Sequence, residues 1–351
     1  MRLCFLTSTP LTPTEGSGTF VGIQELQRAL TGLGHAVTVR GLEIRSGFHT
    51  FDRWLYNMRV RMKPPAADLV TGFDLDGFLW ARHRRTRFVA SLKGIIADEL
   101  RNERGLVRVL LGIQARWERR NVRLADRVIV TSRYCAEVAR REYGVPESKL
   151  AVVPELIDLE EWDAWFARVS RRPADRPVLL CVARLYPRKR VQDLLEAVYR
   201  LRRRIPDLQL RVVGRGPEWS RLLRLRSELG LEDTVLFLGE ISRRQLAQEY
   251  LSADCFCLPS VQEGFGIVFL EAMAAGKPVV ACRTAAVPEV VPDGKAGILV
   301  PPRSPDDLAI AIERTLSDPR MAKEWGETGR QWVRQFAAPR VAARFLEAAA
   351  A

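Results

Sequence analysis

Three histidines, six cysteines and no long apolar run mark what this sequence does without. His35, His49 and His83 lie far apart and no Cys-x-x-Cys pair occurs, so the ligand spacing of a zinc site is missing. Cys4, Cys135, Cys181, Cys255, Cys257 and Cys282 fall mostly within apolar strand-like runs and read as buried reduced thiols. No apolar run reaches the roughly 18–20 residues of a membrane span. The first apolar stretch, Leu3–Leu6, is too short for the core of a signal peptide, which predicts a cytoplasmic protein. Acids are also short: 42 Asp and Glu against 55 Lys and Arg leave a net charge of +13. That excess suits phosphorylated ligands, an anionic membrane surface or nucleic acid, and an arginine-rich composition alone also produces it. No strand interleaves aromatic with basic residues as RNA-binding sheets do, which counts against nucleic acid.

What is present is a globular composition, 47% hydrophobic and 28% charged, over 351 residues, enough for two domains with a core each. Arg2–Leu6 reads as a strand, followed by a loop rich in Thr, Pro, Ser and Gly. A helix then opens at Gly16-Ser17-Gly18-Thr19, with Phe20, Ile23, Leu26 and Leu30 on one face, and a second strand follows at Ala36–Val39. Short strands recur at Asp68–Gly72, Phe88–Leu92 and Asp126–Val130, with an arginine-studded helix over residues 101–123. The stretch 159–177 reads as an interdomain connection. From Val178 the alternation of strand and helix restarts, which predicts α/β domains with parallel, doubly wound sheets. Helices are predicted over about 306–318 and 328–349. Residues 48–63 carry Phe51, Trp54, Leu55, Met58 and Met62 at helical spacing, with Arg53, Arg59, Arg61 and Lys63 off that stripe. Such a helix is either a core element or a basic amphipathic surface for peripheral contact with an anionic membrane.

The most informative stretch runs from Ser260 to Pro278, SVQEGFGIVFLEAMAAGKP. Gly264 and Gly266 allow close approach of a ligand to the backbone, and the N–H groups near Ile267 and Val268 open the following helix. That geometry suits a phosphate. Glu263 and Glu271, eight positions apart, would repel the same anion and so more plausibly bind hydroxyls. Phosphate with hydroxyls points to a nucleotide sugar. Arg184, at the end of the strand 178–183, and Lys189, five residues later, suit two sides of a diphosphate.

The Glu-x7-Glu spacing inside EGFGIVFLEAMAAGKPVVA resembles the signature of family 4 glycosyltransferases of the GT-B fold. The resemblance implies two Rossmann-like, doubly wound domains facing across a cleft. It divides the chain into residues 1–158, a linker 159–177 and a donor-binding domain 178–334, with a last helix from about 335 to 351 rejoining the first domain. It also implies transfer of a sugar, with retention, from an α-linked UDP- or GDP-sugar to an acceptor hydroxyl, in glycoconjugate, polysaccharide or glycolipid synthesis, without a metal or other cofactor. Glu263, Arg184 and Lys189 become the catalytic candidates and Glu271 the ribose ligand. Gly16, Gly18, Gly214, Gly239, Glu240, Ile241, Gly264, Phe265, Gly266, Ile267 and Val268 become donor-binding candidates. Four residues depart from the pattern: Ala183, Arg190 and Leu156 stand where glycines are usual, and Lys93 where a histidine is. Asp74, Lys93 and Glu99 are the acceptor or sugar candidates of the first domain. Asp74-Leu75-Asp76 matches a short metal signature of the other glycosyltransferase fold, and a helix N-cap is the simpler reading. A sugar-nucleotide epimerase or hydrolase, or a basic nucleic-acid-binding module, are the other readings the residues leave open.

Overall fold

The computed structural model describes residues 1–10, 13–43, 45–171 and 176–351, with helix residues 13–17 described by their backbone alone. The chain forms two compact units, Met1–Ile157 with Phe336–Ala351, and Asp158–Gln335.

The first unit holds strands β1 (Arg2–Leu6), β2 (Ala36–Arg40), β3 (Leu69–Phe73), β4 (Arg87–Leu92), β5 (Arg127–Val130) and β6 (Leu150–Val152). They pair in the order β2-β1-β3-β4-β5-β6, all parallel. A parallel sheet is buried on both faces, and successive strand residues divide between two apolar layers. Val70 and Val128 pack with Tyr56, Val60 and Val122 on one side. Leu69 and Ile129 pack with Leu26, Leu30, Val341 and Phe345 on the other. The last helix, Ala338–Ala350, belongs to this unit, and Arg87 Nε donates to the Ala349 carbonyl at 2.7 Å.

Three predicted elements differ. The first helix begins at Pro13, ahead of the predicted opening at Gly16, so Gly16 and Gly18 lie inside it and do not open it. Proline favours a first helical turn, where its missing N–H has no carbonyl to meet. Leu11 and Thr12, and the surroundings of Gly16, lie outside the described residues. The helix predicted over 328–349 is two, Pro319–Trp332 and Ala338–Ala350, joined by a short 3-10 turn. Pro339 cannot sit inside a continuous helix and instead occupies the first turn of a new one. The supposed linker contains a helix, Leu159–Ala167, capped by Asp158, which accepts from the Glu161 N–H at 2.9 Å. Its Trp162 is buried edge-on against Tyr250, with ring centroids 5.6 Å apart. Residues 172–175 lie outside the description.

The second unit holds β7 (Val178–Val182), β8 (Gln209–Val213), β9 (Val235–Gly239), β10 (Cys255–Leu258), β11 (Val279–Cys282) and β12 (Gly297–Val300). Their order, β12-β11-β10-β7-β8-β9, is that of a doubly wound dinucleotide sheet. The strand order reverses between β7 and β10, and ligands of such sheets bind beyond the carboxyl ends at that point. All six cysteines are buried and unbridged. Among the described residues, no helix is long and apolar enough to cross a membrane.

Candidate functional site

The loops leaving β7 and β10 flank the reversal point of the second sheet, and they are tied together. The Val261 N–H donates to the Arg188 carbonyl at 2.9 Å. Lys189 Nζ donates to Glu263 Oε1 at 2.5 Å, and both side chains are nearly buried. Burial pushes the Glu263 carboxyl up, but the Lys189 ammonium, the hydrogen bonds from Lys189 and Ser260 and the charge of Arg188 together outweigh it and hold the acid below its ordinary value. Arg184 and Arg188 both lie against the Tyr186 ring, at 5.8 and 4.9 Å from its centroid. Arg184, Arg188 and Lys189, with Arg190 beside them, thus place four cationic side chains on one loop.

Gly266 ends the β10 loop in left-handed backbone, φ 95°, where an added Cβ would meet the Phe269 ring at 2.6 Å. Only glycine fits both conditions. The helix Ile267–Ala274 starts there, and the N–H groups of Ile267 and Val268 have no carbonyl of their own helix to meet. The Phe265 side chain is buried, so this residue offers a ligand only its backbone. Glu271 sits deeper. Its Oε2 accepts from Tyr250 Oη at 2.7 Å and its Oε1 from Arg243 Nη1 at 3.3 Å. Burial raises the Glu271 carboxyl above its ordinary value, against the opposing pull of Arg243 and Tyr250.

Tyr250 and Arg243 are site residues that sequence reasoning missed. Ser242 and Gln245 form a reciprocal capping box at the start of the helix Arg243–Ser252, a pattern legible as Ser-x-x-Gln. Arg243 and Tyr250 lie seven positions apart and so share a face of that helix. Nothing local says that this face meets Glu271.

The glycines of the neighbouring strands draw the sheet's carboxyl edge together. Gly214, φ 110°, donates its N–H to the Gly239 carbonyl at 2.7 Å, and a Cβ on it would lie 2.1 Å from the Ala183 carbonyl oxygen. Glu240 is exposed and Ile241 half-buried just beyond this turn. Arg190, one of the two residues standing for a family glycine, adopts glycine-like left-handed backbone, φ 51°. Its guanidinium grips Asp193 at 2.6 and 2.9 Å, which offsets a strain of about 1 kcal/mol or more.

In the first unit the reversal lies between β1 and β3, and the sequence candidates there need correction. Asp76 is fully buried and accepts from the Ser8 backbone and hydroxyl and from Asn57 Nδ2 at 2.5–2.9 Å. No helix starts at Asp74 or Asp76, so neither is an N-cap, and Asp76 is a brace between the loops after β1 and β3. Lys93 is not a free cation, because its ammonium is buried against Glu155 Oε2 at 2.8 Å. A Cβ on Gly22 would lie 2.6 Å from that same carboxylate oxygen, so the first helix closes over the pair. Leu156 packs in the core with Val341 and Phe345, where glycine would leave a void. Asp74 accepts from the Lys93 N–H at 2.9 Å, and burial raises its carboxyl to about 6. The Glu99 carboxylate lies over Gly94, so Asp74, Lys93 and Glu99 do share one neighbourhood. Among the described residues no group of three or more His, Cys, Asp or Glu side chains is placed to hold a metal ion.

Two doubly wound sheets, the second with cations, a glycine-opened helix and a buried carboxylate at its reversal point, define an α/β protein of the dinucleotide-sheet type. Residues 16–161 match the model of Glycosyltransferase Family 4, and residues 165–332 that of Glycosyl transferases group 1. The chain belongs to these glycosyltransferases, and its fold is GT-B. It is similar to the GDP-mannose-dependent alpha-(1-6)-phosphatidylinositol monomannoside mannosyltransferase of Mycolicibacterium smegmatis, 39% identical over 222 residues. That match covers 60% of this chain and 58% of the relative, so the chain spans a little over half of the relative's length. Sucrose-phosphate synthase from Thermosynechococcus elongatus shares the fold with a TM-score of 0.82 at 23% identity, over 99% of this chain and 97% of that one. HepE of Anabaena, solved with UDP and glucose, gives 0.78 at 20% identity, over 99% and 98% of the two chains.

Proposed function

We propose that the protein transfers a sugar from an α-linked nucleotide sugar to an acceptor hydroxyl with retention of configuration. The observation that carries this reading is the Lys189–Glu263 pair beside the Gly266 helix start, a cation and a carboxylate at the reversal point of a dinucleotide-type sheet. In this reading Arg184, Lys189 and the N–H groups of Ile267 and Val268 neutralise the diphosphate as it departs. The bond from the anomeric carbon to the phosphate oxygen breaks, and its electron pair stays on that oxygen. The acceptor oxygen bonds to the same face of the sugar while its proton passes to the departing phosphate. Glu263 orients the sugar and stabilises its developing positive charge, and Glu271 accepts from the ribose hydroxyls. Gly239, Glu240 and Ile241 lie along the nucleobase. Positive charge comes from side chains and backbone, so the reading assigns no role to a metal.

The named substrates of the mycobacterial relative make GDP-mannose and a lipid-linked acceptor the first pair to test, and the UDP held by HepE makes UDP-sugars the second. Peripheral contact with an anionic membrane would serve a lipid acceptor. A thermal-shift panel of GDP-, UDP-, ADP- and TDP-sugars identifies the donor, since a ligand that binds only the folded state raises its melting temperature. Product analysis with and without an acceptor then separates transfer from hydrolysis. Release of free sugar at an undiminished rate with every acceptor tried would overturn the reading.

A further inference from the structure

The two side chains that hold Glu271 both rest on one ring. Glu271 Oε1 accepts from Arg243 and Oε2 from Tyr250, and both donors come from the helix Arg243–Ser252. Trp162 touches each of them. The central carbon of the Arg243 guanidinium lies over the Trp162 ring, 4.6 Å from its centroid, and the Tyr250 ring meets the same ring edge-on at 5.6 Å. Trp162 belongs to the helix Leu159–Ala167, which lies against both Arg243–Ser252 and Ile267–Ala274, the helix that carries Glu271. The ring is 1% exposed, with Phe166 tilted against it at 5.3 Å, so it cannot leave either contact without opening the core.

Core packing alone does not account for this tryptophan. Its indole N–H is buried and meets no acceptor among the described residues, a desolvation penalty that leucine or phenylalanine would not bring. What indole supplies is the side-chain ring face that attracts a cation most strongly. Arg243 is half-buried, and so long a side chain has many rotamers to lose before its guanidinium meets a carboxylate. A guanidinium stacked on a ring keeps its in-plane N–H groups for hydrogen bonding, and one of them holds Glu271 Oε1. For Tyr250 the ring angle decides where Oη falls, and Trp162 and Phe256 both pack against that ring. An ionised carboxylate has about four acceptor sites, so one donor on each oxygen leaves about two, enough for a pair of ribose hydroxyls.

We infer that Trp162 is a positioning residue for the ribose: it fixes Arg243 and Tyr250 so that Glu271, anchored through both oxygens, meets the hydroxyls of an incoming nucleotide in one orientation. The inference rests on the ribose role proposed for Glu271 above. Trp162 donates its backbone N–H to the Asp158 carbonyl at 3.0 Å, one helical turn past the boundary between the two units. The ribose carboxylate is thus set by the helix through which the chain enters the second unit, whereas Glu263 is set by Lys189 of the loop after β7. Loss of Trp162 should accordingly weaken nucleotide binding and raise KM with little change in kcat.

Calorimetric titration of the full chain with GDP, UDP and ADP, each beside its 2′,3′-dideoxy form, isolates the ribose hydroxyls. The parent is expected to hold one of these diphosphates about tenfold or more tighter than its dideoxy form. Trp162→Leu should cut that preference about threefold or more while binding the dideoxy form as the parent does, a split that general loosening of the core does not produce. Trp162→Phe should restore part of the preference, because a smaller ring face still meets the guanidinium. Arg243→Met repeats the test without touching the core, and Trp162→Leu added to it should cost less preference than it does in the parent. Equal losses for both forms in Trp162→Leu, or a preference that Trp162→Leu keeps while Glu271→Gln loses it, would overturn the inference and leave the proposed function standing. Should Trp162→Leu not fold, Arg243→Met decides alone, and the parental preference in that variant overturns the inference. A parent that binds none of the three diphosphates, or holds both forms of each equally, removes Glu271 from the ribose and overturns that reading and the inference together.

Discussion

Lys189 holds Glu263 at 2.5 Å inside the second unit, where the side chains are only 13% and 8% exposed. Each is the other's counter-ion before any ligand arrives. An entering diphosphate must therefore compete with Glu263 for the ammonium, and the carboxylate it loosens is the one assigned to the sugar. Donor binding and the placing of Glu263 become one event, provided the proposed function holds.

The pair makes Lys189→Ala more than a binding variant. Removing the lysine takes the ion-pair partner from a buried carboxylate and leaves it only Ser260 and the charge of Arg188, which should destabilise the fold by about 3 kcal/mol. Adding Glu263→Gln to it should restore most of that loss. Urea unfolding of both variants checks this, and equal midpoints would refute the coupling. The sign with pH follows from the lowered Glu263 value: its contribution is present above the unfolded value of about 4.5 and disappears as pH falls through the lower folded value. The stability gap between the parent and Glu263→Gln should accordingly close in acid.

Glu271 behaves in the opposite sense. Its carboxyl is raised by burial, so holding it ionised opposes folding near neutrality, and the opposition is relieved as pH drops through the raised value. Glu271→Gln should melt no lower than the parent at pH 7, yet bind the nucleotide sugar roughly 10- to 100-fold more weakly, the range of one charged hydrogen bond. Calorimetric titration with the donor found in the thermal panel measures it. Parental affinity in Glu271→Gln would remove this residue from the ribose site.

Gly266→Ala tests the helix start. A methyl group at φ 95° and 2.6 Å from the Phe269 ring must displace that buried ring or the turn. A loss of about 2 kcal/mol or more in stability is expected, with weaker donor binding because the first-turn N–H groups move. Gly18→Ala, which meets no atom within 4 Å, is the control and should be neutral or slightly stabilising, since its helix gains a better former. Equal effects of the two substitutions would reject the argument.

What sequence makes legible here is local. Gly264, Gly266, Glu263 and Glu271 lie within nine residues, and a glycine pair before an apolar run specifies a turn and a helix without help from elsewhere. The two-sheet alternation is likewise a sum of local patterns. Partners are not local. Glu155 lies 62 positions from Lys93, Asp76 lies 68 from Ser8, and Tyr250 lies 21 from Glu271. Lys93 looked like a ligand cation because its neutralising carboxylate belongs to another strand's end. Asp76 reads as a helix cap from its neighbours alone because the serine that saturates it comes from the loop after β1. The helix boundary at Pro339 is a local signal too, but apolar periodicity runs across it and masks it.

The remaining candidate of the first unit gives the sharpest pH test. Asp74 is raised to about 6 by burial, with Arg53 and the Lys93 N–H opposing and Asp76 and Glu99 adding to the rise. Between the ordinary value of 3.8 and about 6 the folded chain keeps a proton that the unfolded chain has lost. The favourable contribution of Asp74 is thus complete below 3.8 and gone once pH rises through about 6. Asp74→Asn keeps an acceptor for the Lys93 N–H, and asparagine tolerates the left-handed backbone of φ 54° at this position. The variant should therefore be more stable than the parent at pH 7, on the order of 2 kcal/mol, and its stability should change less between pH 4 and 6. Denaturant midpoints across that window decide it: parallel profiles for parent and variant would show that Asp74 titrates as an ordinary surface acid.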